Sequence, residues 1–251
     1  MCRRVQLLGV IGLFVALVPT SRAADDESAT IIEKAIKAHF PKGLDTKNQG
    51  SRTKTKGTLH IMGQDLEFTQ EVATQSPNKF KEVMELTVMN NTVTITSVYN
   101  GKEAWIRAGG QDVKVTDEIL AEFKEAAYGM SLVQGMFLKD KSVTFKTVGE
   151  IKVKDRPALG VTVSRKGNKD INMYFDKETG LIAKVEMRRK DLVSGEEVTE
   201  ERIITEYQEV DGRKVAKKVE VLRDGKAFLE AEVTEIKIVE KVDDSEFVHP
   251  K

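Results

Sequence analysis

The chain has 251 residues, of which 40 are basic and 40 are acidic, so its formal net charge is zero. Proteins that bind nucleic acid need a surplus of basic side chains to neutralise phosphates. The composition therefore predicts that nucleic acid is not a partner. The only cysteine, Cys2, lies ahead of the first apolar segment, where it cannot mark a lipoprotein cleavage site.

The N-terminus has the pattern of an export signal. Arg3 and Arg4 form a basic start, and residues 5–18 form an apolar run without a charge. Pro19 ends that run, and small residues then lead to a cleavage site after Ala23. The run is short for a membrane span and acidic residues follow it, so we predict a cleaved signal peptide rather than a retained anchor.

Residues 1–23 are thus a predicted signal peptide, and residues 24–251 a predicted single domain. Without the signal, 37 basic and 40 acidic residues remain, a formal charge of −3. The remaining chain has no cysteine, which excludes disulfides and thiolate metal sites from it. Its stability must come from a hydrophobic core, for which this length is ample. Export predicts a periplasmic or secreted location, in a bacterium.

Residues 30–40 are predicted to form an amphipathic helix. Ile31, Ile32 and Ala35 recur at helical spacing, with charged residues on the other side. Pro41 and Gly43 end the pattern.

From residue 53 to residue 110 the pattern changes to alternation between apolar and polar residues, which is typical of strands with one face in water. Turn signals such as Asn90-Asn91 and Gly109-Gly110 separate five predicted strands. Glu82 is a charged exception in the apolar phase. The apolar residues that we assign to one face of this sheet are Leu59, Phe68, Phe80, Met84, Leu86 and Ile95.

Residues 116–138 return to helical spacing, and the second half of this segment carries no charge. Gly129 and Gly135 each cost about 1 kcal/mol relative to alanine in a helix, so we expect a bend or two short helices. The segment is too apolar to lie exposed, and it must cover the apolar face of the sheet as a permanent plug or a movable lid. Its covering residues are predicted to be Phe123, Met130, Val133, Met136 and Phe137.

Residues 143–239 form a second ladder of seven predicted strands, in which Met173 and Val185 belong to the apolar face. The apolar phase shifts between Val233 and Ile236, which predicts a β-bulge in the last strand. The fold class predicted from these patterns is mainly β with helices. We expect one large curved antiparallel sheet, an incomplete β-barrel of about 11–12 strands, with an N-terminal helix and a central helical lid or plug.

Nothing in the chain has the pattern of a catalytic or metal site. The histidines His39, His60 and His249 are not spaced as metal ligands, and the nucleophile and zinc-protease motifs are absent. The adjacent carboxylates Glu196-Glu197, Glu200-Glu201 and Asp243-Asp244 leave a hydrolase as an alternative, although such pairs are more often solvated strand faces. We therefore predict a protein that is not an enzyme and that uses no metal and no cofactor.

One turn and two strands resemble a known family. The segment 174–186 contains a D-x-x-T-G turn, Asp176 to Gly180, before an alternating strand, and the segments 207–215 and 243–247 follow the same layout. With the signal peptide, the N-terminal helix and the central helical insert, the chain resembles the LolA-like superfamily. That superfamily includes periplasmic carriers that sort outer-membrane lipoproteins.

The resemblance implies an incomplete barrel whose hollow binds acyl chains beneath a helical lid, without a catalytic step. It implies a lipid or an acylated protein as partner, with transient contact to a membrane or an envelope protein, and we expect a monomer. The thirteen apolar residues assigned above to the sheet face and its cover would then line the hollow. In the dedicated carriers an arginine latches the lid, and the candidates here, Arg52 and Arg107, are not matched by a motif.

Two hypotheses of function stay open at the level of the sequence. The first is an exported, non-catalytic carrier or binder of a lipid or lipidated protein. The second is an envelope regulatory or protein-binding module whose cavity is permanently filled by its own helix. Residues 130–138 discriminate between them, since a lid must move and a plug must not.

Overall fold

The structure is a computed structural model that describes residues 21–44, 47, 49–61, 63–89, 91–133, 142–191 and 194–250, with side chains from residue 27 onward. The predicted signal peptide falls almost entirely outside these residues. Helix α1 spans Ser21–His39 and helix α2 spans Asp117–Val133. A 3₁₀ helix, Asp244–Glu246, lies near the C-terminus.

Thirteen strands account for most of the remaining described residues. They are β1 Gly50–Ile61, β2 Gln64–Gln75, β3 Lys79–Val88, β4 Asn91–Tyr99, β5 Ala104–Ala108, β6 Gln111–Val113, β7 Val143–Val153, β8 Arg156–Arg165, β9 Ile171–Asp176, β10 Ile182–Lys190, β11 Glu197–Val210, β12 Arg213–Arg223 and β13 Lys226–Val239.

All thirteen strands belong to one open antiparallel sheet. Their spatial order is β6-β5-β4-β3-β2-β1-β13-β12-β11-β10-β9-β8-β7, so the only neighbours distant in sequence are β1 and β13. We call β1–β6 the first arm of the sheet and β7–β13 the second arm. The predicted mainly-β class with two helices is confirmed, and one strand more than expected is present, the three-residue β6.

The predicted bulge in the last strand is confirmed. Lys54 pairs with Glu235 and Thr55 pairs with Val233, so Thr234 is the extra residue in β13. A division into two short helices at Gly129 is not observed, because α2 continues through that residue to Val133. Gly135, the other residue at which we expected a bend, lies outside the described residues.

Helix α2 shows that the sheet curves. Phe123 packs against Phe80 and Tyr99 of the first arm, whereas Tyr128 and Leu132 pack against the second arm. Strands β4 and β9 are eight places apart in the sheet, which is about 38 Å if the sheet were flat. A helix of 17 residues is only about 26 Å long. Both arms reach it because the sheet bends around it.

The two faces of the sheet bury different parts of the chain. We call the face that carries α1 and α2 the inner face; Phe80, Tyr99 and Met173 lie on it. On the opposite, outer face, Val98 and Ala73 pack against the C-terminal segment, residues 240–250. That segment buries two apolar side chains, Val242 and Phe247.

The D-x-x-T-G turn docks α1 onto the second arm. The Asp176 carboxylate accepts hydrogen bonds from the backbone N–H groups of Glu178 and Thr179 and from the Thr179 hydroxyl. Gly180 adopts a positive φ of 76°, and a Cβ there would lie 3.0 Å from Cγ of Lys34 in α1. A glycine is therefore needed for both the turn and the close approach of the helix.

His39 fixes the C-terminal end of α1. Its Nε2 accepts a hydrogen bond of 3.0 Å from the Ile182 backbone N–H, and its Nδ1 lies 3.1 Å from the Lys214 carbonyl oxygen. This pair of partners requires the neutral ring with its proton on Nδ1. Burial lowers the pKa of His39, although the Lys214 carbonyl opposes that shift.

This geometry predicts that acid weakens the docking of α1. The pKa of His39 lies below the unfolded value of 6.5, so the unfolded chain binds the proton more tightly. Stability should then fall as the pH drops below about 6.5, by up to about 1.4 kcal/mol per pH unit. Urea unfolding of the wild type between pH 7.5 and pH 5 measures this loss.

His39→Gln should be less stable than the wild type at pH 7.5, and its stability should depend much less on pH. His60→Gln is the control, because His60 pairs with Asp65 on the sheet and does not contact α1. Its stability should keep the pH dependence of the wild type. An unchanged pH dependence in His39→Gln would contradict this role.

Candidate apolar binding surface

Direct cross-strand pairing makes one long row of residues on the inner face. Val161, Met173, Val185, Arg202, Val221, Leu229, Leu59 and Leu66 are each paired with the next across eight neighbouring strands. We call this set the central row. Every member except Arg202 is apolar, so the central row is an apolar path interrupted by one cation.

The predicted apolar residues occupy three parts of this inner face. Met173 and Val185 are buried in the cluster that joins the second arm to α1 and α2. Phe80, Phe123 and Met130 belong to the cluster between the first arm and α2, where the rings of Phe80 and Phe123 stack at 5.5 Å. These five residues hold the helices to the sheet, and they are already covered.

The third part lies between those two clusters. Phe68 and Leu59 are buried, and the Phe68 ring occupies the space above Gly57, where a Cβ would approach it within 2.8 Å. Half-buried residues on the same face are Leu66, Met84, Leu86, Val93, Ile95, Val219 and Leu229. None of these nine residues belongs to a buried cluster of the described chain. We call them the open floor.

Three predicted cover residues are not described. The Val133 side chain, at the end of α2, is among them, and Met136 and Phe137 lie outside the described residues. Whether the segment after α2 covers the open floor therefore stays a prediction.

Five charged residues of the inner face form a group that the sequence pattern did not predict. Glu200 is 1% exposed, and its carboxylate contacts the guanidinium groups of Arg189, Arg202 and Arg223 at 3.2, 2.9 and 3.2 Å. Asp191 forms a further ion pair with Arg223. We call these five residues the Glu200 cluster; with three cations and two anions, its formal charge is +1.

The electrostatics of the Glu200 cluster favour the ionised form of Glu200. Burial alone would raise the pKa of Glu200, but the positive charges of Arg202, Arg189 and Arg223 outweigh burial and lower that pKa to about 2. The Arg223 guanidinium also lies 3.4 Å from the ring centroid of Phe228, which fixes its position. A signal for this cluster was present in the sequence, because Glu200 and Arg202 share the strand phase of Ile204.

The two arginines proposed as lid latches do not face the helices. Arg52 lies on the outer face and forms an ion pair with Glu246 in the C-terminal segment. Arg107 also points away from the inner face and pairs with Asp112 at 3.0 Å. Both side chains form ion pairs away from the inner face, so neither can latch α2 in this arrangement.

The carboxylate pairs considered for hydrolysis are separated by the sheet or used in structure. Glu200 and Glu201 are neighbours on a strand and point to opposite faces, where Glu201 binds Lys184. Asp243 caps the 3₁₀ helix, while Asp244 binds Lys79. Within the described residues, no group of three histidine, cysteine or acidic side chains could hold a metal ion.

A groove also lies on the outer face, opposite the apolar floor. It encloses about 640 Å³ above the central strands, and threonines and acids such as Thr58, Glu67 and Glu230 line it. No described helix combines the length and the hydrophobicity needed to cross a bilayer.

Comparison with known proteins shows the fold. No protein-family model and no curated protein matches the sequence. Solved structures do match: a LolA superfamily protein from Nitrosomonas europaea has a TM-score of 0.55 at 10% identity, covering 88% of this chain and 97% of that one.

A DUF1329 family protein from Desulfovibrio piger gives a TM-score of 0.53 at 13% identity, covering 88% of this chain and 97% of that one. An outer membrane lipoprotein-sorting protein domain from Vibrio parahaemolyticus gives 0.52 at 10% identity, covering 89% and 97%. The predicted resemblance to the LolA-like superfamily is thereby confirmed at the level of the fold.

The buried carboxylate of the Glu200 cluster predicts a stability effect. Glu200→Gln removes the central anion and leaves three guanidinium groups facing one another, which should cost up to about 3 kcal/mol. Glu197→Gln, an exposed residue on the same strand, is the control and should change stability by less than about 0.5 kcal/mol. Urea unfolding at pH 7 compares the two variants. Equal stability of Glu200→Gln and the wild type would show that the cluster contributes nothing to folding.

Proposed function

We propose that this protein is an exported, non-catalytic carrier or binder of a lipid or lipidated protein, which it holds on the open floor of its inner face. The observation that carries this proposal is the open floor itself. Seven of its residues are half-buried in the described structure, although an apolar face of this kind is normally covered.

The energetics suit an acyl chain. Each methylene removed from water contributes about 0.8 kcal/mol, so a long chain laid on the open floor would provide a large part of a binding free energy. Neither of the clusters in which α1 and α2 pack against the sheet includes a residue of the open floor. A ligand can therefore reach the floor while the arms of the sheet remain tied together by α2.

The likeness to LolA superfamily and lipoprotein-sorting structures supports the same proposal, since the fold is shared over most of both chains. A periplasmic or secreted location in a bacterium follows from the predicted signal peptide and this likeness. The alternative is a protein-binding module whose cavity is filled by its own helix. The packing of α2 against both arms would favour it if the open floor proves closed in solution.

The proposal predicts that lipid binding depends on the inner face and not on the outer face. Leu86→Asp places a charge on the open floor, and it should weaken binding of a fluorescent long-chain fatty acid by at least about tenfold. Thr87→Asp places the same charge on the adjacent residue, which is exposed on the outer face, and it should leave binding unchanged. Fluorescence titration measures binding, and urea unfolding of each variant checks that the fold is retained.

Native mass spectrometry of protein purified from an envelope fraction provides an independent test, with an acyl-chain ligand expected in the complex. If no lipid co-purifies and the fluorescent fatty acid does not bind the wild type, the carrier proposal is wrong.

A further inference from the structure

The geometry points to an anionic amphiphile as the ligand, with Arg202 as the residue that binds its headgroup. This inference rests on the proposed function and narrows it to one class of ligand. An uncharged lipid would need only the open floor, whereas the inner face also carries the Glu200 cluster, of which Arg202 is the member in the central row.

The position of Arg202 is the first argument. It lies in the central row between Val185 and Val221, which are both buried. Arg202 itself keeps 43% of its side chain exposed. A half-exposed guanidinium among buried valines is accessible from the inner side of the sheet, which is where the open floor begins.

The charge of the surroundings is the second argument. Arg202 uses Nε and Nη2 to contact Glu200, and no hydrogen bond of its Nη1 to a described residue is seen. The Nε of Arg189 is buried without a hydrogen-bond partner. Because the Glu200 cluster has a formal charge of +1, one further anion would neutralise it. A carboxylate or phosphate is the group that guanidinium donors bind best.

The length of the apolar path that starts at Arg202 also fits an acyl chain. From Arg202 the central row continues through Val221, Leu229 and Leu59 to Leu66, a distance of about 19 Å along the sheet at the usual strand spacing. This path has a cation at one end and apolar side chains along the rest. A headgroup at Arg202 would therefore place a long single acyl chain along the open floor.

The test compares three lipids that share a palmitoyl chain and differ in the headgroup, together with one anion that has no acyl chain. Palmitate and palmitoyl lysophosphatidate are anionic, monopalmitoylglycerol is neutral, and inorganic phosphate has no chain. Each is titrated into the full protein below its micelle concentration, by displacement of a fluorescent fatty acid or, for phosphate, by calorimetry. We expect both anionic lipids to bind at least about tenfold more tightly than monopalmitoylglycerol, and phosphate alone to bind weakly.

Variants assign the preference to Arg202. Arg202→Gln should weaken palmitate about tenfold and leave monopalmitoylglycerol unchanged, and Arg202→Lys should restore part of the loss. Arg188→Gln is the matched control, because it removes the same charge from an exposed residue of β10 and should change neither lipid. We expect Arg202→Gln to keep its fold, because Arg189 and Arg223 still bind Glu200. Urea unfolding checks this.

The outcomes separate this inference from the proposed function. The inference fails if palmitate and monopalmitoylglycerol bind the wild type equally, or if Arg202→Gln weakens the binding of both lipids alike. In either case the headgroup charge does not select the ligand, but the proposed function as a lipid binder is still supported. If inorganic phosphate binds as tightly as the lipids, the Glu200 cluster is an anion site independent of the floor, and the inference fails. If none of the lipids binds, the proposed function fails and this inference fails with it.

Discussion

The packing of α2 between the two arms is the contact on which the rest of the molecule depends. A sheet of thirteen strands with an apolar inner face needs a partner for that face, and only two helices are described to provide one. Phe123 secures α2 to the first arm, and Tyr128 and Leu132 secure it to the second. Ion pairs of Glu118 with Lys190 and of Glu122 with Lys169 add to the second attachment.

Because one helix serves both arms, it covers the inner face unevenly. The residues nearest the helices are buried in two clusters, while seven of the nine residues of the open floor between them are half-buried. The same bend that brings the arms to α2 makes the floor a trough rather than a flat surface. The Glu200 cluster lies on this same face, and its Arg202 pairs directly with Val221 in the central row.

Much of this arrangement follows from local sequence patterns, since strand alternation fixes which residues share a face. The alternation placed Leu86 and Val185 on the same side of the sheet, and the phase shift in the last strand located the bulge at Thr234. The three-residue β6 is too short to show a period. The helix continues through Gly129 because burial of Tyr128 and Leu132 outweighs a propensity cost of about 1 kcal/mol.

The Glu200 cluster could not be predicted in the same way. Its members come from strands β10, β11 and β12 and from the turn at Asp191, and only the register of those strands brings them together. Charges in an apolar strand phase were the available signal. The segment after α2 is likewise not fixed by local pattern, since its apolar residues fit a plug and a lid equally well.

Methyl NMR of the protein bound to a long-chain fatty acid tests the central claim most directly, because it locates the acyl chain residue by residue. We expect intermolecular nuclear Overhauser effects from the chain to the methyl groups of Leu86, Ile95 and Leu229 on the open floor. We expect none to Val98 or Val242, which are buried on the outer face. Contacts to the outer face alone, or no contacts to the open floor under saturating ligand, would contradict the account.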